Sequence, residues 1–135
     1  MQSRTILVVD DEREIVDMIE IVLRQAGYDI LAAHSPEQAA ALCSEAERSV
    51  DLVVSDYTMP GQNGMELAKT LRSMRPALEF IFISASPDAG AKLSAEGFLC
   101  LRKPFSFGEL LGNIRQRLEA DEARFAGGPA ALEGG

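Results

Sequence analysis

The sequence predicts an α/β fold in which five parallel strands form one doubly wound sheet between two layers of helices. Five short runs of the chain are continuously apolar, as expected of strands that helices cover on both faces. Segments with apolar residues at helical spacing alternate with these runs. The pattern is therefore (βα)5, and right-handed crossovers turn it into a three-layer sandwich. The predicted strands cover residues 6–9, 30–32, 52–54, 80–83 and 99–101.

Each predicted helix has a start or stop signal of its own. The first has apolar residues at helical spacing from Ile15 through Met18 to Ala26, and Gly27 is expected to end it. The third stops before Pro76, and the fourth is short, with Gly90 inside it. The remaining signals are Ser35-Pro36 with Gln38 as a capping box for the second helix, Ser86-Pro87 and Gly97 at the two ends of the fourth, and Ser106 with Glu109 as a capping box for the fifth.

Length and composition indicate one globular domain. The chain has 135 residues, of which 47% are hydrophobic and 25% charged. We expect the domain to cover residues 1–125 and residues 126–135, AGGPAALEGG, to form a flexible tail. The net charge of -8 argues against a nucleic-acid surface, which needs clustered Lys and Arg. The apolar run near the N-terminus is too short for a signal sequence or a membrane span, so a cytoplasmic location is expected, with Cys43 and Cys100 as reduced thiols.

Polar residues follow four of the predicted strands. Asp10 and Asp11 follow the first, Asp56 the third, Ser84 the fourth and Lys103 the fifth. Ligands of doubly wound sheets bind at the carboxyl ends of the strands, so these side chains are expected to meet there. Carboxylates crowded together repel unless a cation lies between them, and oxygen ligands without His or Cys favour Mg²⁺.

These five residues together have the chemistry of phosphoryl transfer. A cation, an ammonium group and a hydroxyl around one carboxylate can stabilise a transferring phosphoryl group. Asp56 would be the nucleophile and would form an aspartyl phosphate. Taken singly, each residue has an ordinary structural explanation, such as a helix start at Asp10-Asp11 or a surface lysine at Lys103. Their arrival at one edge from four strands favours the functional interpretation.

Four segments resemble the receiver domain of two-component response regulators. They are VVDDE, SDYTMPGQNG, FISAS and LRKPF, and the likeness covers about residues 4–120. The turn from Asp56 to Gly64, in combination with Lys103-Pro104, makes it specific. The resemblance implies a flavodoxin-like sheet of order 2-1-3-4-5. It also implies a phosphorelay signalling module that takes a phosphoryl group from a histidine kinase or a histidine phosphotransfer protein.

The resemblance assigns roles position by position. Asp56 matches the phosphoacceptor, and Asp11, Asp10, Asp56 and the carbonyl of Thr58 match the site of Mg²⁺, for which Mn²⁺ can substitute. Ser84 matches a hydroxyl that turns toward the phosphoryl group, and Lys103 matches the lysine that pairs with it. The Lys103-Pro104 bond matches one that is usually cis. Receiver domains catalyse their own phosphorylation and dephosphorylation, so the chain is not expected to be an enzyme in the usual sense.

The sequence departs from the family pattern at two places, and both concern the surface that would transmit the signal. Cys100 stands where an aromatic residue is common, and Phe98 is displaced from that position by two. The interval from Ser84 to Lys103 is about three residues shorter than usual, which agrees with a short fourth helix. We therefore expect a muted change on the face of the last two strands and helices, and a monomer or a weak dimer. The face around the first helix and the Asp56 loop is then expected to dock the phosphodonor.

Two alternatives stay open at this point. An aspartate-nucleophile phosphatase also uses Asp, Mg²⁺ and Lys on a doubly wound sheet, but it needs a second acid two residues after the nucleophile, where this chain has Thr58. A receiver-like module that binds partners without phosphorylation would not need the set of Asp10, Asp11, Asp56, Ser84 and Lys103. The sequence does not distinguish a free-standing receiver from one cut from a longer protein such as a hybrid kinase.

Overall fold

The computed structural model describes residues 4–45 and 50–119. Five parallel strands form one sheet in the order β2-β1-β3-β6-β7, which confirms the predicted fold class and strand order. The predicted tail, residues 126–135, lies outside the described residues. The strands are β1 (Thr5–Val9), β2 (Asp29–Ala33), β3 (Leu52–Asp56), β6 (Glu79–Ser84) and β7 (Leu99–Arg102), with a small antiparallel hairpin of β4 (Thr58–Met59) and β5 (Gln62–Asn63); the helices are α1 (Arg13–Gln25), α2 (Pro36–Glu45), α3 (Gly64–Met74), α4 (Pro87–Ala95) and α5, described over 107–119.

The sheet has an apolar core on each face, because successive strand residues point to opposite sides. Ile6 and Val8 of β1 pack with the helices α1 and α5, whereas Leu7 and Val9 pack with α2, α3 and α4. Every residue of β1 and β3 is buried. The continuous apolar runs in the sequence are therefore explained by cover on both faces.

Local signals fix most helix ends where they were predicted. Gly27 follows α1 with φ 100, a left-handed conformation that glycine adopts at little cost. The hydroxyl of Ser35 accepts from the N–H of Gln38 at 3.1 Å, but the side chain of Gln38 accepts from the N–H of His34 and not from that of Ser35. The reciprocal half of that capping box is thus shifted by one residue. A complete box at α3, Asn63 with Glu66, was missed.

Helix α4 is short, as predicted. It has nine residues, and the hydroxyl of Ser86 caps its first turn. Gly97 ends it with φ 86, and the N–H of Phe98 donates to the carbonyl of Leu93 at 2.8 Å. This hydrogen bond across the helix end returns the chain to β7 directly. Among the described residues, no helix combines the length and the apolar character that crossing a bilayer requires.

Candidate functional site

The carboxyl edge of the sheet brings the predicted residues together. Val9 and Ser55 are paired in the β1–β3 register, so the residues that follow them, Asp10 and Asp56, lie side by side. Across β6 and β7, Ser84 is paired with Arg102, and Lys103 follows directly. The strand pairing alone therefore places both acids, the hydroxyl and the lysine on one edge.

Three carboxylates form the acidic half of the site. One oxygen each from Asp10, Asp11 and Asp56 lie within 4.8 Å of one another. Asp10 and Asp56 are buried, whereas Asp11 is exposed. Burial raises the pKa of Asp10 from 3.8 to about 6, because a buried carboxylate loses hydration. The N–H of Glu12, which donates to Oδ1 of Asp10 at 2.9 Å, lowers this pKa in part. The negative charge of Asp56 raises it further.

The carboxylate of Asp56 is held from two sides. Its Oδ1 accepts from the backbone N–H of Thr58 at 3.3 Å, and its Oδ2 lies 3.4 Å from Nζ of Lys103. Burial raises the pKa of Asp56 above its usual 3.8 in spite of the lysine, which is the largest opposing influence. The side chain of Asp56 is 9% exposed.

Ser84 and Lys103 form the other half of the site. The buried hydroxyl of Ser84 accepts from the N–H of Ser86 at 3.0 Å, and the carbonyl of Ser84 accepts from the N–H of Lys103 at 2.9 Å. The Lys103-Pro104 peptide bond is cis, as the resemblance implied. The hydroxyl and the backbone carbonyl of Ser84 thus each accept a hydrogen bond from a nearby backbone N–H.

The loop after Asp56 is more structured than a turn. Thr58 pairs with Asn63 in the β4–β5 hairpin, which the sequence did not predict. Gly64 begins α3 against the ring of Phe82; a Cβ there would lie 2.7 Å from a ring carbon. The glycine is therefore needed for close packing and not for an unusual φ. Thr58 contacts the carboxylate of Asp56 through its backbone N–H. The metal-binding role of the Thr58 carbonyl stays a prediction.

An apolar groove adjoins the lysine half of the site, and sequence reasoning missed it. Its volume is about 460 Å³, and it lies between α1 and the start of α5. Met18 is 51% exposed there, although its spacing assigned it to the buried stripe of α1. The signal that could have found the groove is that α1 has more apolar residues than its buried side needs: Val16, Ile19 and Leu23 are buried, whereas Met18 and Ile21 are exposed. The lining residues are Ile15, Met18, Ile19, Lys103, Pro104, Phe105 and Phe107.

The region of the missing aromatic residue holds a cluster of rings. Cys100 is half-buried on β7, and burial raises the pKa of its thiol. The ring of Phe98 lies edge-on to that of Phe82 with centroids 5.3 Å apart, and the guanidinium of Arg72 lies 4.7 Å from the Phe98 centroid. Phe98 therefore fills this face although it is two residues from the expected position. Cys43 and Cys100 are both free thiols; the sequence predicted both as buried, and Cys43 is buried whereas Cys100 is only half-buried.

Comparison with known proteins identifies the family. The response regulator receiver domain family matches residues 6–115. The phosphate regulon transcriptional regulatory protein PhoB of Pseudomonas aeruginosa is 34% identical over 122 residues, which are 85% of this chain and 52% of that protein. The chain thus spans about half the length of this curated relative.

Two solved structures are similar over nearly their whole length. The receiver domain of the hybrid histidine kinase CckA is 32% identical with a TM-score of 0.72, covering 84% of this chain and 98% of that one. The response regulator TrrA of Thermotoga maritima, in complex with Mg²⁺-BeF, is 31% identical with a TM-score of 0.72, covering 84% and 98%. The chain belongs to the receiver domain family of two-component response regulators.

Proposed function

We propose that this chain is a phosphorylation-dependent signalling module whose Asp56 accepts a phosphoryl group from a histidine kinase or a histidine phosphotransfer protein. One observation carries the proposal. The carboxylate of Asp56 has an oxygen within 4.8 Å of oxygens of Asp10 and Asp11, and its Oδ2 lies 3.4 Å from Nζ of Lys103. A nucleophile, a cation-binding cluster and a fixed positive charge are the groups that phosphoryl transfer requires.

The donor set fits a hard divalent cation. Three carboxylates within 4.8 Å, with Asp11 open to solvent, suit Mg²⁺, which keeps several water ligands; Mn²⁺ would substitute. Asp10, Asp11, Asp56 and the carbonyl of Thr58 would hold it. Bound there, the ion supplies positive charge that offsets the negative charge of the carboxylates and of the incoming phosphoryl oxygens. The Mg²⁺-BeF complex of the similar protein TrrA supports this assignment.

The protein side chains divide the remaining work. A carboxylate oxygen of Asp56 attacks phosphorus, the bond from phosphorus to the donor imidazole nitrogen breaks, and its electron pair returns to the imidazole. Lys103 stabilises the phosphoryl oxygens electrostatically, and Ser84 donates its hydroxyl proton in a hydrogen bond to one of them. Water later hydrolyses the aspartyl phosphate. The chain promotes its own phosphorylation and dephosphorylation and is not an enzyme that turns over a separate substrate.

The groove beside Lys103 supports docking of the phosphodonor on the α1 side. Lys103 both lines the groove and contacts Asp56, so a partner seated there is next to the acceptor. Met18 and Ile21 are 51% and 57% exposed, which gives α1 apolar side chains for contact with an apolar helix face. The likeness to a receiver domain from a hybrid histidine kinase supports a kinase as the donor. A kinase of the cytoplasm is the expected partner, and the charge of -8 gives no support to nucleic acid as a partner of this chain.

The direct test is phosphorylation by a small-molecule phosphodonor with Mg²⁺. Intact-mass measurement should find a single phosphoryl adduct, stable in acid and labile in base, and Asp56→Asn should abolish it. Asp88→Asn, at an exposed acid in the first turn of α4, is the matched control and should leave the yield unchanged. An adduct of full yield on the Asp56→Asn protein would overturn the assignment. A protein that forms no adduct but still binds partners would favour the phosphorylation-independent module, and steady release of phosphate from many substrates would favour a phosphatase.

A further inference from the structure

Ser55, the residue before the proposed phosphoacceptor, has a hydroxyl that takes no part in the proposed phosphoryl transfer. The residue is fully buried in β3 and is paired with Val9 of β1 and Phe82 of β6. Both neighbours are buried members of the apolar core on the α2, α3 and α4 side of the sheet. An alanine would be buried there without the free-energy cost of a desolvated hydroxyl, so the serine points to a use of that hydroxyl.

The hydroxyl of Ser55 donates to the backbone carbonyl of Asp56 at 2.9 Å. The pairing of β1 with β3 ends at Val9 and Ser55, so this carbonyl belongs to a residue one position beyond the ladder on the β1 side. On the β6 side, the N–H of Tyr57 donates to the carbonyl of Ile83 at 2.9 Å. The peptide group between Asp56 and Tyr57 is therefore held at its carbonyl by Ser55 and at its N–H by β6.

The orientation of this peptide group sets the direction of the reacting carboxylate. Successive side chains of a strand point to opposite faces, so the side chain of Asp56 leaves β3 on the face opposite to that of Ser55. Oδ1 of Asp56 accepts from the N–H of Thr58 at 3.3 Å, and Oδ2 lies 3.4 Å from Nζ of Lys103. Any effect of Ser55 on this carboxylate therefore runs through the backbone.

We propose that Ser55 is a positioning residue for phosphorylation, an inference that rests on the proposed function and adds a residue to it. The hydroxyl of Ser55 fixes the plane of the peptide group after Asp56 and so holds the carboxylate oxygens in place relative to Lys103. Without this hydrogen bond, the carbonyl of Asp56 loses a donor, and the peptide group rotates to find another. The carboxylate then points less often along the line of attack on phosphorus, and small misplacements of reacting groups are costly in rate.

Phosphorylation kinetics with a small-molecule phosphodonor at saturating Mg²⁺ test the inference on the full chain. Ser55→Ala should lower the maximal rate of adduct formation about tenfold. The donor concentration at half-maximal rate should change less than about twofold, because the donor does not contact Ser55. Ser55→Thr keeps the hydroxyl and should restore the rate. The matched control is Thr5→Val, which removes the hydroxyl of a buried residue at the amino end of β1 and should leave the rate unchanged.

The variants separate the hydroxyl of Ser55 from its packing. If Ser55→Ala reacts as fast as the unmodified chain, or if Ser55→Thr is as slow as Ser55→Ala, the inference is wrong. If circular dichroism shows that Ser55→Ala does not fold, Ser55→Cys takes its place. A thiol is a weaker donor, so its rate should fall below that of the unmodified chain, and an unchanged rate contradicts the inference in the same way. If the unmodified chain itself forms no adduct, the proposed function fails, and the inference fails with it.

Discussion

The two halves of the site differ in how well their charges and polar groups are satisfied. In the acidic half, Asp10, Asp11 and Asp56 place carboxylate oxygens within 4.8 Å of one another, and burial raises the pKa of Asp10 to about 6. In the other half, Lys103 has Asp56 as a partner, and Ser84 holds the N–H of Ser86. The acidic half therefore holds crowded negative charge that a cation would offset, whereas the polar groups of the other half already have partners.

The comparison predicts that the acidic half destabilises the metal-free protein. Asp10→Asn should raise the free energy of unfolding by roughly 2–3 kcal/mol near neutral pH in the presence of a chelator. Because burial raises the folded-state pKa of Asp10 from 3.8 to about 6, the folded state binds more protons between these values, and stability falls as pH rises through them. Denaturant unfolding at several pH values measures this dependence.

The matched control is Asp17→Asn, at an exposed acid of α1, which should have little effect on the free energy of unfolding. Mg²⁺ should reduce the gain in the free energy of unfolding that Asp10→Asn gives, because the ion offsets the same carboxylate charge. A variant that is less stable than the unmodified protein near neutral pH without metal would show that the carboxylate of Asp10 is well satisfied and that the two halves do not differ in this way.

The exposed member of the acidic half should matter most for metal affinity. Asp11→Ala should raise the apparent Mg²⁺ dissociation constant at least tenfold, about 1.4 kcal/mol. Asp11 offers an oxygen to the cluster from the solvent side, whereas Glu14, another exposed acid nearby in α1, is not part of it. Titration of the Asp11→Ala and Glu14→Ala proteins measures the difference. Equal affinities would place the metal site elsewhere.

The lysine half should be sensitive to changes in the adjoining groove. Met18→Glu should slow transfer from a histidine kinase or phosphotransfer protein about fivefold, near 1 kcal/mol, because a charge would enter an apolar contact. Phosphorylation by a small-molecule donor should not change, since it needs no docking surface. Met74→Glu, at a methionine of α3 that is 40% exposed and outside the groove, is the control. If Met18→Glu slows phosphorylation by the small-molecule donor as much as transfer from the protein donor, then Met18 affects the phosphorylation site itself and not docking.

The smallest effect is expected at β7. Sedimentation with and without Mg²⁺-beryllofluoride should show a monomer or a weak dimer in both states, because the ring of Phe98 is already packed and Cys100 has no ring to move. Outside the phosphorylation site itself, amide shifts across residues 85–119 should be small. A clean transition from monomer to dimer, with large shifts concentrated in residues 85–119, would show that the missing aromatic residue at Cys100 does not limit the response of this face.

Several features followed from the sequence because their causes are local or periodic. Continuous apolar runs identified the five strands of the main sheet, and glycines at 27 and 97 marked helix ends through the positive φ that they adopt. The meeting of Asp10, Asp56, Ser84 and Lys103 followed from one geometric rule, that parallel strands present their carboxyl ends at one edge. The strand order itself came from the family resemblance.

Tertiary structure alone decided the properties that depend on distances between remote segments. Periodicity assigned Met18 to the buried face of α1, yet the packing of α1 against α5 leaves it in an open groove. The raised pKa of Asp10 and the position of the Phe98 ring beneath the guanidinium of Arg72 have the same origin. Helix and strand propensity acts between neighbours along the chain, whereas burial and charge interactions act between groups that only folding brings together. The sequence by itself therefore determined which side chains reach the site. The tertiary structure determined the burial, the contacts and the pKa of each one.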